Sequence, residues 1–251
     1  MGYFMKTPNV IFMDFSNLYE SAAHVLVAKN YSVERIDCSG IPGTNCYCDE
    51  AAKAELRRMI ADYSPHGVHF LDSGNYHYLS LLWLEKLKED FLLLLLDNHP
   101  DMQQSAFGNI TSCGGWVREA LENPSLRQAV LAGVDESLLA EIKPLPENVT
   151  PVQGTLEAIR ALCALRPELF QLPIYISLDK DVLSPEYARC DWSQGKMSRA
   201  ELLSILQYLN ANTRILGIDI CGEKKDNATP EDIRLNEETN QILLNCGIMD
   251  A

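Results

Sequence analysis

The sequence predicts an α/β fold in which a mostly parallel sheet carries helices on both faces, and three observations point to it. Short apolar runs bounded by turn residues alternate with stretches of helical periodicity. Several of these runs, such as Phe91–Asp97, are apolar almost throughout, as expected for strands covered on both faces. With 251 residues, 47% of them hydrophobic, the chain can bury a large core, and we expect one domain over residues 1–251.

The predicted elements alternate along the chain. Seven segments have the strand pattern: Val10–Phe15, Val33–Asp37, Gly67–Asp72, Phe91–Asp97, Ala129–Val134, Ile174–Asp179 and Ile215–Ile220. Seven others have apolar residues at the three- and four-residue spacing of amphipathic helices: Leu18–Lys29, Asp49–Asp62, Tyr78–Glu89, Gly115–Glu122, Gly154–Leu165, Arg199–Ala211 and Pro230–Asn245. Ser39–Cys48 and Ile142–Thr150 are rich in Gly, Pro and Asn and are predicted to be loops.

Composition excludes several classes of protein. The net charge of −14 argues against a nucleic-acid-binding surface and favours a cationic substrate or metal ion. No apolar run approaches the roughly 20 residues of a membrane span, and the N-terminus lacks the features of a secretion signal. The eight cysteines form no CxxC pair or regular disulfide framework. We therefore expect a soluble cytoplasmic protein with reduced thiols.

Two candidate metal-binding motifs follow predicted strands. The run FLLLLL leads into Asp97, His99 and Asp101, which the two-residue period of an extended chain places on one side. A second strand, IYISL, ends in Asp179 and Asp181 with the same spacing. Either motif alone is as consistent with a loop cap as with a metal site. However, open α/β sheets build their binding crevice where the carboxyl ends of strands meet.

Four aspartates in one pocket require compensating positive charge. Neighbouring carboxylates raise each other's pKa, and burying an ionised carboxylate is costly. Mixed carboxylate and imidazole ligands suit Mn, Fe, Co or Zn better than Ca or Mg, which prefer oxygen. The two motifs together therefore predict a transition-metal site.

A third segment contains His77 after a Gly-rich turn. The segments SGNYHYLS, LDNHPDMQ and SLDKDVLSP resemble, in the same order, the three metal-ligand signatures of the arginase, agmatinase and formiminoglutamase (ureohydrolase) family. This resemblance implies a three-layer α/β/α fold with a mostly parallel central sheet of about eight strands. It also implies two Mn²⁺ ions, with other divalent transition metals as alternatives. One ion would take His77, Asp97, Asp101 and Asp179, and the other His99, Asp97, Asp179 and Asp181.

The resemblance also implies a reaction. In such two-metal sites a bridging hydroxide is the nucleophile, and it would attack the central carbon of a small cationic guanidino, amidine or formimino compound. Asp101 is the expected catalytic residue, because it would both bind a metal and accept a hydrogen bond from the hydroxide. The products would be an amine with urea or formamide. Related enzymes are often homo-oligomers, so a homo-oligomer is also expected.

Two departures from the family pattern leave the substrate open. In the family a Glu after a D-I-x strand end pairs with the guanidinium, whereas here Gly222 holds that position and Glu223 follows it. A bulge could return Glu223 to the pocket, and a solvated loop position is the alternative. The arginase branch has a His in the loop that here reads GNITSCGG. We take Asn109, Cys113 and Glu223 as candidate substrate contacts.

Two other functions compete with this interpretation. A metal-binding relative without catalysis would explain the displaced Glu and the missing loop His. A deacetylase-like amidohydrolase is the other, because histone deacetylases share the fold. Those enzymes usually use one zinc ion and a tandem His pair, and none of the five histidines here adjoins another.

Overall fold

The central feature of the computed structural model is an eight-stranded sheet. The structure describes residues 10–19, 31–105, 108 and 110–246. The sheet strands are β1 (Val10–Asp14), β2 (Val33–Asp37), β4 (Val68–Phe70), β5 (Phe91–Leu96), β7 (Leu126–Ala132), β8 (Val149–Val152), β9 (Ile174–Asp179) and β10 (Ile215–Cys221). Their order is β2-β1-β4-β10-β9-β5-β7-β8, and each neighbouring pair is parallel. The predicted α/β fold class is confirmed.

Seven α-helices lie between or after the strands in the described residues. They are α1 (Glu50–Met59), α2 (Leu79–Leu84), α3 (Trp116–Ala120), α4 (Glu136–Ala140), α5 (Leu156–Leu165), α6 (Arg199–Asn212) and α7 (Pro230–Leu244). Apart from its first two residues, the predicted helix Leu18–Lys29 lies outside the described residues. Helix α7 begins at Pro230 as its sequence predicts, because Thr229 caps it and forms a reciprocal capping box with Asp232 in its first turn.

The alternation of side chains along each strand produces two hydrophobic layers. Leu93 and Leu95 of β5 belong to one cluster, which also contains Leu56, Trp83 and Trp116 of α1, α2 and α3. The intervening leucines of β5 belong to a second cluster on the other face of the sheet, together with residues of α5, α6 and α7. Burial on both faces explains why this strand has no polar positions. The molecule is therefore built of three layers.

Two short strands and one edge strand were not predicted. β3 (Tyr47–Cys48) and β6 (Thr111–Ser112) pair antiparallel as a separate two-stranded ribbon. Their length of two residues gives no detectable period. β8 begins within a segment predicted to be a loop, and its Pro151 is tolerated because β8 lies at the edge of the sheet.

Among the described residues, no helix has both the length and the hydrophobicity needed to cross a bilayer. The cytoplasmic location, the single domain and the homo-oligomeric state stay predictions from the sequence.

Candidate metal centre

Strand register brings the two aspartate motifs together. β5 and β9 are neighbours in the middle of the sheet, with Leu96 opposite Leu178. Asp97 and Asp179 are the next residues, so both carboxylates start from the same level at the carboxyl edge. The third segment contributes His77 directly after a short 3₁₀ turn, Gly74–Tyr76. The site therefore forms where the carboxyl ends of parallel strands meet, as the sequence predicts.

The six predicted ligands converge in overlapping groups. In each group the potential ligand atoms lie within 4.8 Å of one another. The groups are His77 with Asp97 and Asp101, His99 with Asp97 and Asp181, and His77 with Asp179 and Cys221. The first two groups share Asp97, one of the two residues expected to bridge the cations. Asp179, the other, occurs in the third group only. Cys221 was not among the predicted ligands, and its thiol donates to Asp179 Oδ2 at 3.1 Å.

Both imidazoles turn the same nitrogen toward the carboxylates. His77 Nδ1 lies 2.9 Å from Asp101 Oδ2 and 3.2 Å from Asp97 Oδ2. His99 Nδ1 lies 2.8 Å from Asp181 Oδ2. Each histidine therefore directs its Nδ1 toward neighbouring aspartate oxygens, where a cation would bind.

The other imidazole nitrogen of each histidine contacts a serine. His77 Nε2 lies 2.8 Å from Ser177 Oγ, and His99 Nε2 lies 2.9 Å from Ser193 Oγ. Metal-binding histidines generally hydrogen-bond through the nitrogen remote from the metal, which sets the tautomer and the ring orientation. Neither serine was predicted. Ser177 precedes Asp179 by two residues in β9 and so shares its face, whereas Ser193 lies in a loop that carries no such signal.

Close packing around the turn holds the carboxylates in place. A Cβ atom on Gly74 would lie 2.9 Å from Asp179 Oδ2, so this position accepts only glycine without displacement. Trp116 is fully buried and donates from Nε1 to Asp101 Oδ2 at 2.7 Å. Trp192 lines the cavity and donates to Asn75 Oδ1 at 2.8 Å.

The electrostatics of the cluster favour a bound cation. Burial is the main cause that raises the pKa of Asp97, Asp101 and Asp179, and neighbouring carboxylates add to it. Burial and Asp97 raise the pKa of Asp181 to about 7. Burial disfavours the charged form of His99, but hydrogen bonds and charge from Asp181 and Asp97 outweigh it and raise its pKa to about 11.

Without a cation, therefore, the cluster keeps protons that ordinary Asp and His side chains would lose at neutral pH. Asp97 Oδ2 is buried, and its 3.2 Å contact with His77 Nδ1 does not have the geometry of a hydrogen bond. A divalent cation would provide that oxygen with a partner and replace the shared protons. The donor set, two imidazoles with four carboxylates, fits manganese or a similar transition metal.

A cavity of about 490 Å³ opens onto this cluster, and all six predicted ligands line it. Among the candidate substrate contacts, Cys113 also lines the cavity, together with Cys46. Asn109 lies outside the described residues. The cavity wall further includes Arg118 and Glu141.

Glu223, the third candidate contact, is not among the described residues that line the cavity. Its Oε1 lies 2.6 Å from the ammonium of Lys180, which is fully buried, and accepts from Asn240 Nδ2 at 2.7 Å. Lys180 also donates to Asn240 Oδ1 at 3.1 Å. The structure thus places Glu223 in a buried ion pair. A substrate-binding role for it has no support in this geometry.

Close packing explains why a glycine, Gly222, stands where the family resemblance leads one to expect a glutamate. Its φ of +91° favours glycine. A Cβ atom there would lie 2.3 Å from Asp179 Oδ1 and 2.8 Å from the backbone nitrogen of Lys180. Gly222 follows the last residue of β10, Cys221, and the next residue, Glu223, donates from its backbone N–H to Asp72 O at 3.1 Å. A side chain at position 222 would displace the carboxylate of Asp179.

Comparisons with known proteins agree with this geometry. A family model described as the Arginase family matches residues 77–223, more than half of the chain. An uncharacterized protein of Thermotoga maritima is 29% identical over 219 residues, which are 87% of this chain and 81% of that protein.

Solved structures share the fold. Arginase from Bacillus subtilis has a TM-score of 0.68 at 17% identity, covering 98% of this chain and 99% of its own. Formimidoylglutamase from Bacillus subtilis has a TM-score of 0.67 at 16% identity, covering 99% and 88%. A hypothetical agmatinase from Burkholderia thailandensis has a TM-score of 0.67 at 13% identity, covering 99% and 87%. These similarities confirm the three-layer fold implied by the sequence resemblance.

Proposed function

This chain belongs to the arginase family, and from that premise we propose that it is a hydrolase of carbon–nitrogen bonds. The substrate is a small guanidino, amidine or formimino compound, and two divalent cations, manganese by preference, are the cofactors. One observation carries the proposal. In both histidines Nδ1 faces a cluster of aspartate side chains at the base of a cavity, and Nε2 contacts a serine hydroxyl.

The cations would be held by the ligands predicted from the sequence: His77, Asp97, Asp101 and Asp179 for one, and His99, Asp97, Asp179 and Asp181 for the other. When bound, they would supply a water of near-neutral pKa, as other two-metal sites do. Trp116 holds the Asp101 carboxylate at 2.7 Å, and we assign Asp101 the role of proton acceptor. Ser177 and Ser193 keep the two imidazoles oriented.

The cavity wall supports a carboxylate on the substrate. Arg118 lines the cavity and donates from Nε to Met102 O at 3.2 Å, which fixes its guanidinium at the wall. Arg118 is exposed, and among the described residues its side chain bonds to this carbonyl and forms no ion pair. A carboxylate in the substrate tail would provide one, with a charge-assisted hydrogen bond. We therefore favour guanidino, amidine or formimino derivatives of amino acids over the same derivatives of simple amines.

The two alternatives have less support. The family match favours a ureohydrolase over a deacetylase-like enzyme with a single zinc. A metal-binding relative without catalysis would agree with Gly222 and would keep the same six ligands around the cavity, so product release distinguishes it from the enzyme.

The reaction can be tested with manganese-loaded protein and four compounds: arginine, agmatine, 4-guanidinobutyrate and N-formiminoglutamate. We expect release of urea, ammonia or formamide from at least one of them. Asp101→Asn should lower kcat by at least about 100-fold, the usual contribution of a general base. Asp90→Asn, at an exposed ion pair with Arg127, is the matched control and should retain activity. Absence of all three products with manganese, cobalt or zinc bound would overturn the proposal.

The tail can be tested separately, because arginine and agmatine differ only in the carboxylate. We expect Arg118→Gln to lower the kcat/KM ratio of arginine to agmatine about tenfold, since a hydrogen bond to a charged group contributes about 1.5–3 kcal/mol. Arg127→Gln changes a surface guanidinium of the same chemistry and should leave the ratio unchanged.

A further inference from the structure

Two cysteines stand opposite each other in the wall of the cavity. The β3–β6 ribbon pairs Tyr47 with Ser112, and one position further Cys46 faces Cys113. Cys113 N–H donates to Cys46 O at 2.9 Å, so the antiparallel pairing continues to this pair. Both residues line the cavity, and neither belongs to the six predicted metal ligands.

The backbone geometry allows the two sulfur atoms to join. Cys46 has a φ of +61°, so it departs from a regular strand, but the 2.9 Å bond from Cys113 N to Cys46 O keeps the two backbones adjacent. Residues paired by such a bond in an antiparallel ladder have Cα atoms about 5.5 Å apart. Disulfides form at Cα separations of about 4.4–6.8 Å. No large backbone movement is therefore needed to bridge them.

The two thiols differ in reactivity. Cys46 is half-buried, and the hydrogen bond from Cys113 is the main cause that lowers its pKa to about 7, with Lys225 contributing. Cys113 is buried, and the hydrogen bond to Cys46 together with burial raises its pKa. Because the thiolate is the nucleophile, Cys46 should attack first and Cys113 second.

We propose that Cys46 and Cys113 form a thiol–disulfide exchange site in the cavity wall, with low-molecular-weight disulfides as its substrates. The Cys46 sulfur attacks one sulfur of the small disulfide, whose S–S bond breaks and releases the first small thiol. The Cys113 sulfur then attacks the Cys46 sulfur of the mixed disulfide and releases the second. The pair loses two electrons to the small disulfide, and its two protons leave on the two released thiols.

The intermediate explains why the position within the cavity matters. While the mixed disulfide persists, its small-molecule half occupies part of the cavity of about 490 Å³ in front of the acidic cluster. Attack by Cys113 clears that group and leaves a compact protein disulfide. Cys113 thereby protects the cavity from a lasting adduct.

The test uses the full chain, reduced and then treated with oxidised glutathione at pH 7, followed by alkylation and peptide mass spectrometry. Wild type should yield a peptide pair joined through Cys46 and Cys113, two hydrogen atoms lighter than the reduced pair and restored by dithiothreitol. In Cys113→Ser, glutathione should remain on Cys46. In Cys46→Ser, modification of Cys113 should be at least about tenfold slower, since its thiol is buried and largely protonated.

Cys163 is the matched control, because it is also half-buried and its pKa is raised by burial. It is absent from the described cavity lining. Cys163→Ser should oxidise like wild type, and Cys46 should react at least about tenfold faster than Cys163. Two results overturn the proposal: no linked peptide in wild type at excess oxidant, or equal initial rates of alkylation of Cys46 and Cys163 in the reduced wild type. Alanine variants at both positions repeat the comparison if a serine variant fails to fold. None of these readouts depends on hydrolysis, so failure of the proposed function leaves this test intact.

Discussion

Ser177→Ala tests whether His77 is a metal ligand whose ring is oriented by the contact between its Nε2 and the Ser177 hydroxyl. The substitution removes the hydroxyl that lies 2.8 Å from His77 Nε2 and 2.9 Å from Ser80 Oγ. If Nδ1 binds a cation, the proton of His77 resides on Nε2 and is donated to Ser177. Without that acceptor the ring keeps its position less firmly and its basicity falls. The effect should therefore appear first in metal affinity.

The magnitude follows from the structure. Loss of a partner behind a metal-binding histidine typically lowers metal affinity about 10- to 100-fold, which corresponds to about 1.4–2.8 kcal/mol. Ser177 is fully buried, so the Ser80 hydroxyl and His77 Nε2 would lose a partner away from water. Each unsatisfied group costs about 1–3 kcal/mol of folding stability. We expect a folded protein with a lower melting temperature and one weakened manganese site.

Isothermal titration of the metal-free protein with manganese provides the assay. Ser193→Ala is the companion variant, because it should weaken the cation held by His99 instead. Ser204→Ala, whose hydroxyl bonds to Ala200 O in its own helix, should bind manganese as wild type does. If Ser177→Ala folds and both of its sites match those of Ser204→Ala in affinity, Ser177 does not orient a metal ligand and the assignment fails.

Three further predictions concern the surroundings of the cluster. Gly222→Ala should destabilise the protein by about 1–3 kcal/mol, because alanine is strained at the positive φ of this position. It should also lower the manganese stoichiometry, because the new Cβ would lie 2.3 Å from Asp179 Oδ1. Denaturant unfolding and metal analysis measure the two effects, and wild-type values for both would contradict the prediction. Glu223→Gln leaves the Lys180 ammonium buried without its counter-ion, so the free energy of unfolding should fall by about 3–5 kcal/mol while KM changes little. A raised KM at wild-type stability would instead support a substrate contact. Because the pKa of His99 is raised to about 11 in the metal-free fold, its proton must leave when a cation binds. Manganese affinity should therefore rise with pH, and titrations in buffers of different ionisation enthalpy should detect the released proton. A pH-independent affinity would exclude this linkage.

Some of the site could be predicted from the sequence because it is encoded locally. Asp97, His99 and Asp101 share one short segment, and the two-residue period of a strand places them on one side whatever the rest of the chain does. Apolar strands such as β5 reveal burial on both faces for the same reason. Short elements escaped detection, because β3 and β6 have two residues each and β8 contains a proline.

Contacts between distant segments could not be predicted. His77 and Ser177 are 100 positions apart, and His99 and Ser193 are 94 apart. Which serine faces which imidazole depends on how strand ends and loops pack. The same holds for Glu223, whose sequence position next to Gly222 is compatible with a substrate contact. Only the packed structure reveals Lys180 beside it.

The sequence alone thus determined the α/β class and five candidate ligands, because strand periodicity and ligand chemistry are properties of single segments. The resemblance to the ureohydrolase family added His77. The tertiary structure decided which nitrogen of each histidine faces the carboxylates, where the Glu223 charge is neutralised and that Cys46 meets Cys113. These features depend on side-chain orientation and on pairing between segments remote in sequence. Both are set by the packing of the whole chain around the sheet.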